Sequence, residues 1–124
     1  MAYSHTLNLV VGDNLPELTL TLKDSNSAAV GYTLDPDNSA TWDPIDITGA
    51  TVRLRLREIG TTTVTSTLTC SVSQPTDGVA ITNFPTGTLN KAGVFEGEVE
   101  IEFSNGNKQT VYDLLKIKVR DDFD

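Results

Sequence analysis

The feature that most constrains this chain is a hydrophobic period of two. Leu7, Leu9 and Val11 share one parity, and Leu18, Leu20 and Leu22 share another, with threonines between them. Val52, Leu54 and Leu56 alternate with Arg53, Arg55 and Arg57. Val64, Leu68, Cys70 and Val72 fall on one parity, and Val79 and Ile81 form a short run. Phe95, Val99, Ile101 and Phe103 alternate with Glu96, Glu98, Glu100 and Glu102, and Leu115, Ile117 and Val119 with Lys116, Lys118 and Arg120. Each run is a strand with one face buried and one face wet, because successive side chains of a strand point to opposite sides. Thr 18, Val 11 and Ile 6 supply the β-branched residues that a pleated surface accommodates and a helix restricts. No stretch of ten residues carries helical spacing with a cap.

Turn signals separate the runs at Gly12 to Asn14, Lys23 to Ser27, Thr48-Gly49, Glu58 to Thr61, Gln74 to Gly78, Pro85 to Gly93 and Ser104 to Asn107. Seven short strands in 124 residues predict one all-β domain, an immunoglobulin-like β-sandwich spanning 1–124. Residues 1–5 are expected as an N-terminal arm and 121–124 as an acidic tail. A 25–46 insertion between the second and third strands is expected as a projecting hairpin. Its arms would be Val30 to Leu34 and Ala40 to Trp42, around a turn at Asp35-Pro36-Asp37-Asn38.

The formal net charge of −8 argues against nucleic-acid binding, whose affinity comes mostly from Lys and Arg on phosphates. No apolar run approaches the roughly 18 residues of a membrane helix, and the start lacks a signal-peptide pattern. Catalytic equipment is sparse. His5 is the only histidine and Cys70 the only cysteine, which leaves no Ser-His-Asp or Cys-His set outside the arm and too few ligands for zinc. Asp35, Asp37, Asn38 and Asp43 depart from the calcium-loop spacing and lack its closing glutamate. Cys70 lies at a core parity, as an inert buried thiol. The expectation is a protein without enzymatic activity, cofactor or metal.

The charged faces constrain topology. Four glutamates on one strand face repel one another unless cations lie alongside, since opposite charges across strands stabilise by roughly 0.2–1 kcal/mol and like charges cost as much. The predicted sheet therefore sets the Glu96–Glu102 strand between the Arg53–Arg57 and Lys116–Arg120 strands. Its last hairpin pairs Phe95 with Ile117 and Ile101 with Val111, through an odd-numbered loop with Gly106 at positive φ. This face is either a salt-bridged solvent face or an orientation-specific docking face. Tyr32 and Trp42 of the insertion, and Phe123 of the tail, are candidate partner-binding residues. The indole of Trp42 either plugs one end of the sandwich or lies exposed, where with Tyr32 it would anchor a protein or stack on a sugar.

Three segments resemble a known family. Val11-Gly12-Asp13-Asn14-Leu15-Pro16-Glu17-Leu18-Thr19-Leu20 resembles the GD-x-hydrophobic-P opening of small domains in tailed phages. Ile47-Thr48-Gly49-Ala50-Thr51-Val52-Arg53-Leu54-Arg55 is similar to their LTGATV strand. Gly93 to Glu100, then Phe103 to Thr110, resembles their G-x-Y/F-x-x-E-x-E hairpin. The order and spacing match over about residues 9 to 120 of the baseplate upper protein N-terminal domain family. This resemblance implies an immunoglobulin-like domain of the virion in a baseplate, tail, neck or capsid-decorating role. It implies a multi-copy or homo-oligomeric component that contacts other virion structural proteins and has no catalytic residues. The alternative function is a carbohydrate-binding β-sandwich module using Tyr32 and Trp42.

Overall fold

The computed structural model describes residues 3–12, 17–84, 88, 91–111, 114–121 and 123. All seven expected strands are present, as β1 (Tyr3–Val10), β2 (Glu17–Thr21), β5 (Thr51–Glu58), β6 (Val64–Gln74), β7 (Val79–Asn83), β8 (Gly93–Glu102) and β10 (Leu114–Arg120). Three short strands join them: β3 (Lys23–Ala28), β4 (Trp42–Pro44) and β9 (Lys108–Thr110). Among the described residues, the only helical segments are single 3₁₀ turns at Ser39–Thr41 and Pro75–Asp77.

The sheet runs β1-β10-β8-β5-β6-β7-β2, with β9 also on β8, and β3 and β4 form a separate ribbon. One strand makes this sheet curl. The first part of β6 pairs with β5, from Val64 to Cys70, and its last part pairs with β7, from Ser71 to Gln74. A strand shared in this way lets the two halves of the sheet face each other over one core. That core takes Leu18 and Leu20 from β2, Leu22, the three apolar residues of β5, Leu68 and Cys70 from β6, and Ile117 from β10. Val52, Leu54, Ile101 and Ile117 are fully enclosed.

Two strands depart from the expected parity. In β7 it is Ala80 and Thr82, not Val79 and Ile81, that face inward. The register explains it: Ala80 lies opposite Leu20 and Thr82 opposite Leu18, so all four share the core face. In β6 a register shift between Leu56 and Arg57 sets Val64 opposite Arg57, on the outer face, where it is exposed. The expected N-terminal arm is also partly strand. Tyr3 and His5 already pair with Leu114 and Leu115, because β1 lies parallel to β10 and needs that length.

The last hairpin has the expected loop but a different register at its base. Phe103 N–H donates to Asn107 O at 2.8 Å and Gly106 N–H to Phe103 O at 2.9 Å, enclosing a three-residue loop with Gly106 at φ 88°. Phe95 faces Ile117 as expected. Ile101, however, faces Gln109 rather than Val111, whose N–H instead donates to Val99 O at 2.9 Å. The register thus shifts by two residues between β9 and β10, which is why these are two strands rather than one.

Cys70 is buried, and burial pushes its thiol up to about 11 from 9.0. A thiol that stays protonated is a poor nucleophile. Reaction with a disulfide reagent at neutral pH should therefore proceed only as fast as the protein opens. Fast stoichiometric labelling of the native protein would contradict this burial.

Candidate interaction face

The outer face of β5 and β8 is the ladder expected from the sequence. In the register, Arg53 lies opposite Glu100, Arg55 opposite Glu98 and Arg57 opposite Glu96. Arg57 Nε donates straight across to Glu96 Oε1 at 2.7 Å. The other two arginines reach diagonally: Arg53 Nη1 donates to Glu102 Oε1 at 2.9 Å and Arg55 Nη2 to Glu100 Oε1 at 3.1 Å. Arg53 also lies 3.6 Å from Glu100, so that carboxylate is held between two guanidiniums. Glu98 stays exposed, since its opposite number Arg55 is engaged with Glu100. Arg53 donates to Glu102 and holds that carboxyl below the usual glutamate range. A carboxylate stabilised as an anion is a poor general acid or base near neutrality.

The second basic row flanks the glutamates at one rung only. Lys116 lies opposite Glu96, but Lys118 lies opposite Val94, and Arg120 pairs with Val10 on its other side. Along the rest of β8, the neighbour is β9, which sets Thr110 beside Glu100 and Lys108 beside Glu102. The reason is numerical: with Phe95 against Ile117, the ranges 96–102 and 116–120 overlap at a single pair. The three-row expectation is therefore corrected to a full Arg–Glu double row with a partial third row.

The insertion also differs from expectation. Its arms are β3 and β4, not Val30 to Leu34 and Ala40 to Trp42, with Lys23 opposite Pro44 and Asp24 opposite Asp43. The turn at Asp35 to Asn38 is present, closed by Asn38 N–H on Asp35 O at 3.0 Å and braced by Asp37 N–H on Asp35 Oδ1 at 3.0 Å. The insertion does not project freely. Lys23 to Asn26, Leu34, Pro36 and Asp37 line a cleft of about 700 Å³ together with Arg57, Glu98 and Leu114.

The three aromatic candidates fare differently. Trp42 is buried at 3% exposure, and its Nε1–H donates to Asp35 O at 2.9 Å. It lies outside the main core cluster, so it closes the insertion rather than the sandwich end. Its indole face is therefore not open to a sugar ring. Tyr32 is exposed, and Phe123 is 96% exposed with the Arg120 guanidinium 5.2 Å from its ring centroid. Trp42 emission should accordingly be blue-shifted in the folded protein and unmoved by oligosaccharides. A sugar-dependent spectral shift would restore the stacking role.

Sequence reasoning missed the Lys91–Glu58 ion pair at 2.9 Å, which ties the turn before β8 to the end of β5. Nothing in the local pattern of either residue announced a partner 33 positions away. Among the described residues, no three His, Cys, Asp or Glu side chains gather to hold a metal ion. Backbone atoms of β1 place His5, but its side chain lies outside the description. No protein-family model matches the chain, and no curated protein matches it.

Proposed function

We propose that this protein is a non-enzymatic structural component of a tailed-phage virion, an immunoglobulin-like sandwich that acts through protein–protein contacts in the tail, the baseplate or on the capsid. The observation that carries the reading is the strand order. The third, sixth and seventh expected strands lie side by side as β5, β8 and β10, the second pairs with the fifth as β2 and β7, and the first runs parallel to the last. The third–sixth–seventh and second–fifth pairings are ones an immunoglobulin-like order also has, and they support this reading. Two of the three phage-like segments fall at turns of the sheet, which supports the reading: Gly49 at φ 71° leads into β5, and Gly106 closes the β8–β9 hairpin; residues 13–16 of the first segment lie outside the described residues. An Arg–Glu double row supplies an outer face of defined charge pattern, which favours one docking orientation over others.

Quantitative mass spectrometry of purified particles tests the reading. A fixed copy number per particle, with loss of assembly or particle stability on deletion of the gene, is the expected result. Particles that lack the protein would end it. Cryo-electron microscopy of the intact particle would then distinguish tail, baseplate, neck and capsid surface. The carbohydrate-binding reading keeps only Tyr32 as an exposed aromatic of the insertion pair, since Trp42 is enclosed.

A further inference from the structure

We propose that the outer-face cleft where β1, β10 and β8 meet is a self-association site that takes the acidic, aromatic tail of a second copy of this chain. The cleft holds about 410 Å³, and Asn8, Val10, Val94, Lys118 and Arg120 are among its lining residues. Here Val10 and Val94 stand where the neighbouring rungs carry charged side chains. Asn8, Lys118 and Val94 form a rung across the three strands, with Val10 beside Arg120 on the next.

Two observations name the occupant. The first is charge. Each arginine of β5 binds a glutamate, but the cross-strand neighbours of Lys118 are Asn8 and Val94, and that of Arg120 is Val10. In a chain of net charge −8, the cross-strand neighbours of these two cations include no carboxylate, and among the described residues Arg120 Nη1 donates only to a main-chain oxygen, that of Asp121, at 3.0 Å. The segment that follows them, Asp121-Asp122-Phe123-Asp124, carries three carboxylates around one aromatic ring. A cleft with valines and two cations is complementary to that composition.

The second observation is placement. The tail leaves β10 at the rim of the cleft itself, directly after Arg120. Phe123 stacks near the Arg120 guanidinium yet remains 96% exposed, so it rests at the rim and does not fill the cleft of its own chain. A second copy related by a two-fold axis can present the same segment to the cleft. Donor and acceptor lie on one surface, which is the requirement for a reciprocal, isologous contact. Two such faces would repel through Lys118 and Arg120 unless acids came between them, and the exchanged tails supply those acids. The inference is independent of the virion reading, since it concerns the free protein.

The test is sedimentation velocity on residues 1–124 between about 10 µM and 1 mM, because a contact this small gives weak, concentration-dependent dimers. The expected result is a monomer–dimer equilibrium at about 50 mM salt that weakens at about 500 mM salt. Phe123→Ala and Lys118→Glu should each raise the dissociation constant roughly tenfold or more. Both side chains are exposed, so far-UV spectra and melting temperature should stay unchanged. Lys118→Glu combined with Asp121→Lys should recover part of the association. A protein that stays monomeric throughout the range overturns the proposal. So does association that ignores both single substitutions, or amide shifts showing the tail in its own cleft at every concentration.

Discussion

Replacing Gly78 with alanine is expected to destabilise the fold by about 3 kcal/mol, through backbone strain and a steric clash acting together. Gly78 sits at φ 72°, in the left-handed region that costs an L-residue roughly 1–2 kcal/mol. A Cβ built there would lie 2.6 Å from Leu22 O and 2.8 Å from Ile45 O, so main chain on two sides would have to move. Those two atoms mark where the insertion leaves and re-enters the main sheet. Leu22 N–H donates to Gly78 O at 2.8 Å, and Ile45 N–H donates to Leu22 O at 2.9 Å. One glycine therefore brings the β6–β7 turn against both ends of the insertion. Gly106→Ala is the control. It has the same sign of φ, at 88°, but no heavy atom within 4 Å of the new Cβ, so about 1 kcal/mol is expected. Urea denaturation should place the Gly78→Ala midpoint well below that of Gly106→Ala, by about 1 M or more. Equal midpoints would show that the close approach at Gly78 carries no energetic weight.

The same residue illustrates what sequence patterning reached. Gly78 was legible as a turn signal, because glycine after Gln-Pro-Thr-Asp is ordinary turn chemistry. Its contacts with Leu22 and Ile45 were not, since they join residues far apart in the chain. The seven apolar-patterned strands followed from period two, and β5 and β10 as neighbours of the acidic strand followed from charge. Strands β3, β4 and β9 did not. Lys23–Ala28 is largely polar, and Trp42–Pro44 and Lys108–Thr110 are three residues each, so none has an apolar period to detect. β7 misled for a different reason. Val79 and Ile81 are larger than Ala80 and Thr82, but the partner strand, not side-chain size, chose the face.

The offset of the second basic row follows from the sequence once a single cross-strand pair is fixed. Once Phe95 is set against Ile117, counting outward puts Lys118 against Val94 without any coordinates. Trp42 shows the opposite case. Period and composition left it free to be a plug or an anchor. Only the position of Asp35 O, which accepts its indole N–H, decided for burial.

The ladder gives the second large effect. Glu100→Arg is expected to destabilise by about 2–3 kcal/mol, because two attractive contacts are lost and each becomes repulsive. Glu100 is the right position because its side chain is only 12% exposed and lies between Arg53 and Arg55, at 3.6 and 3.1 Å. Low exposure limits solvent screening there. The comparison position is Glu98 on the same strand. It is exposed, and Arg55 has turned away from it, so Glu98→Arg should change stability by no more than about 0.5 kcal/mol. Adding Arg55→Glu to Glu100→Arg should recover part of the loss by restoring one pair with its signs exchanged. Raising salt to about 1 M should narrow the gap between Glu100→Arg and the parent protein.

Acid should expose the same network at its edge. The Glu102 carboxyl, lowered by Arg53 from the ordinary 4.5, has a folded value below its unfolded one. Its contribution is therefore complete above the unfolded value and is lost as pH falls through the folded one. Arg53→Met should flatten that acid limb while leaving the neutral-pH difference between Glu98→Arg and the parent untouched. If both reversals cost the same, the diagonal pairing of Arg55 with Glu100 does not exist in solution. The face would then be a uniformly solvated surface with no fixed pattern for a partner to read.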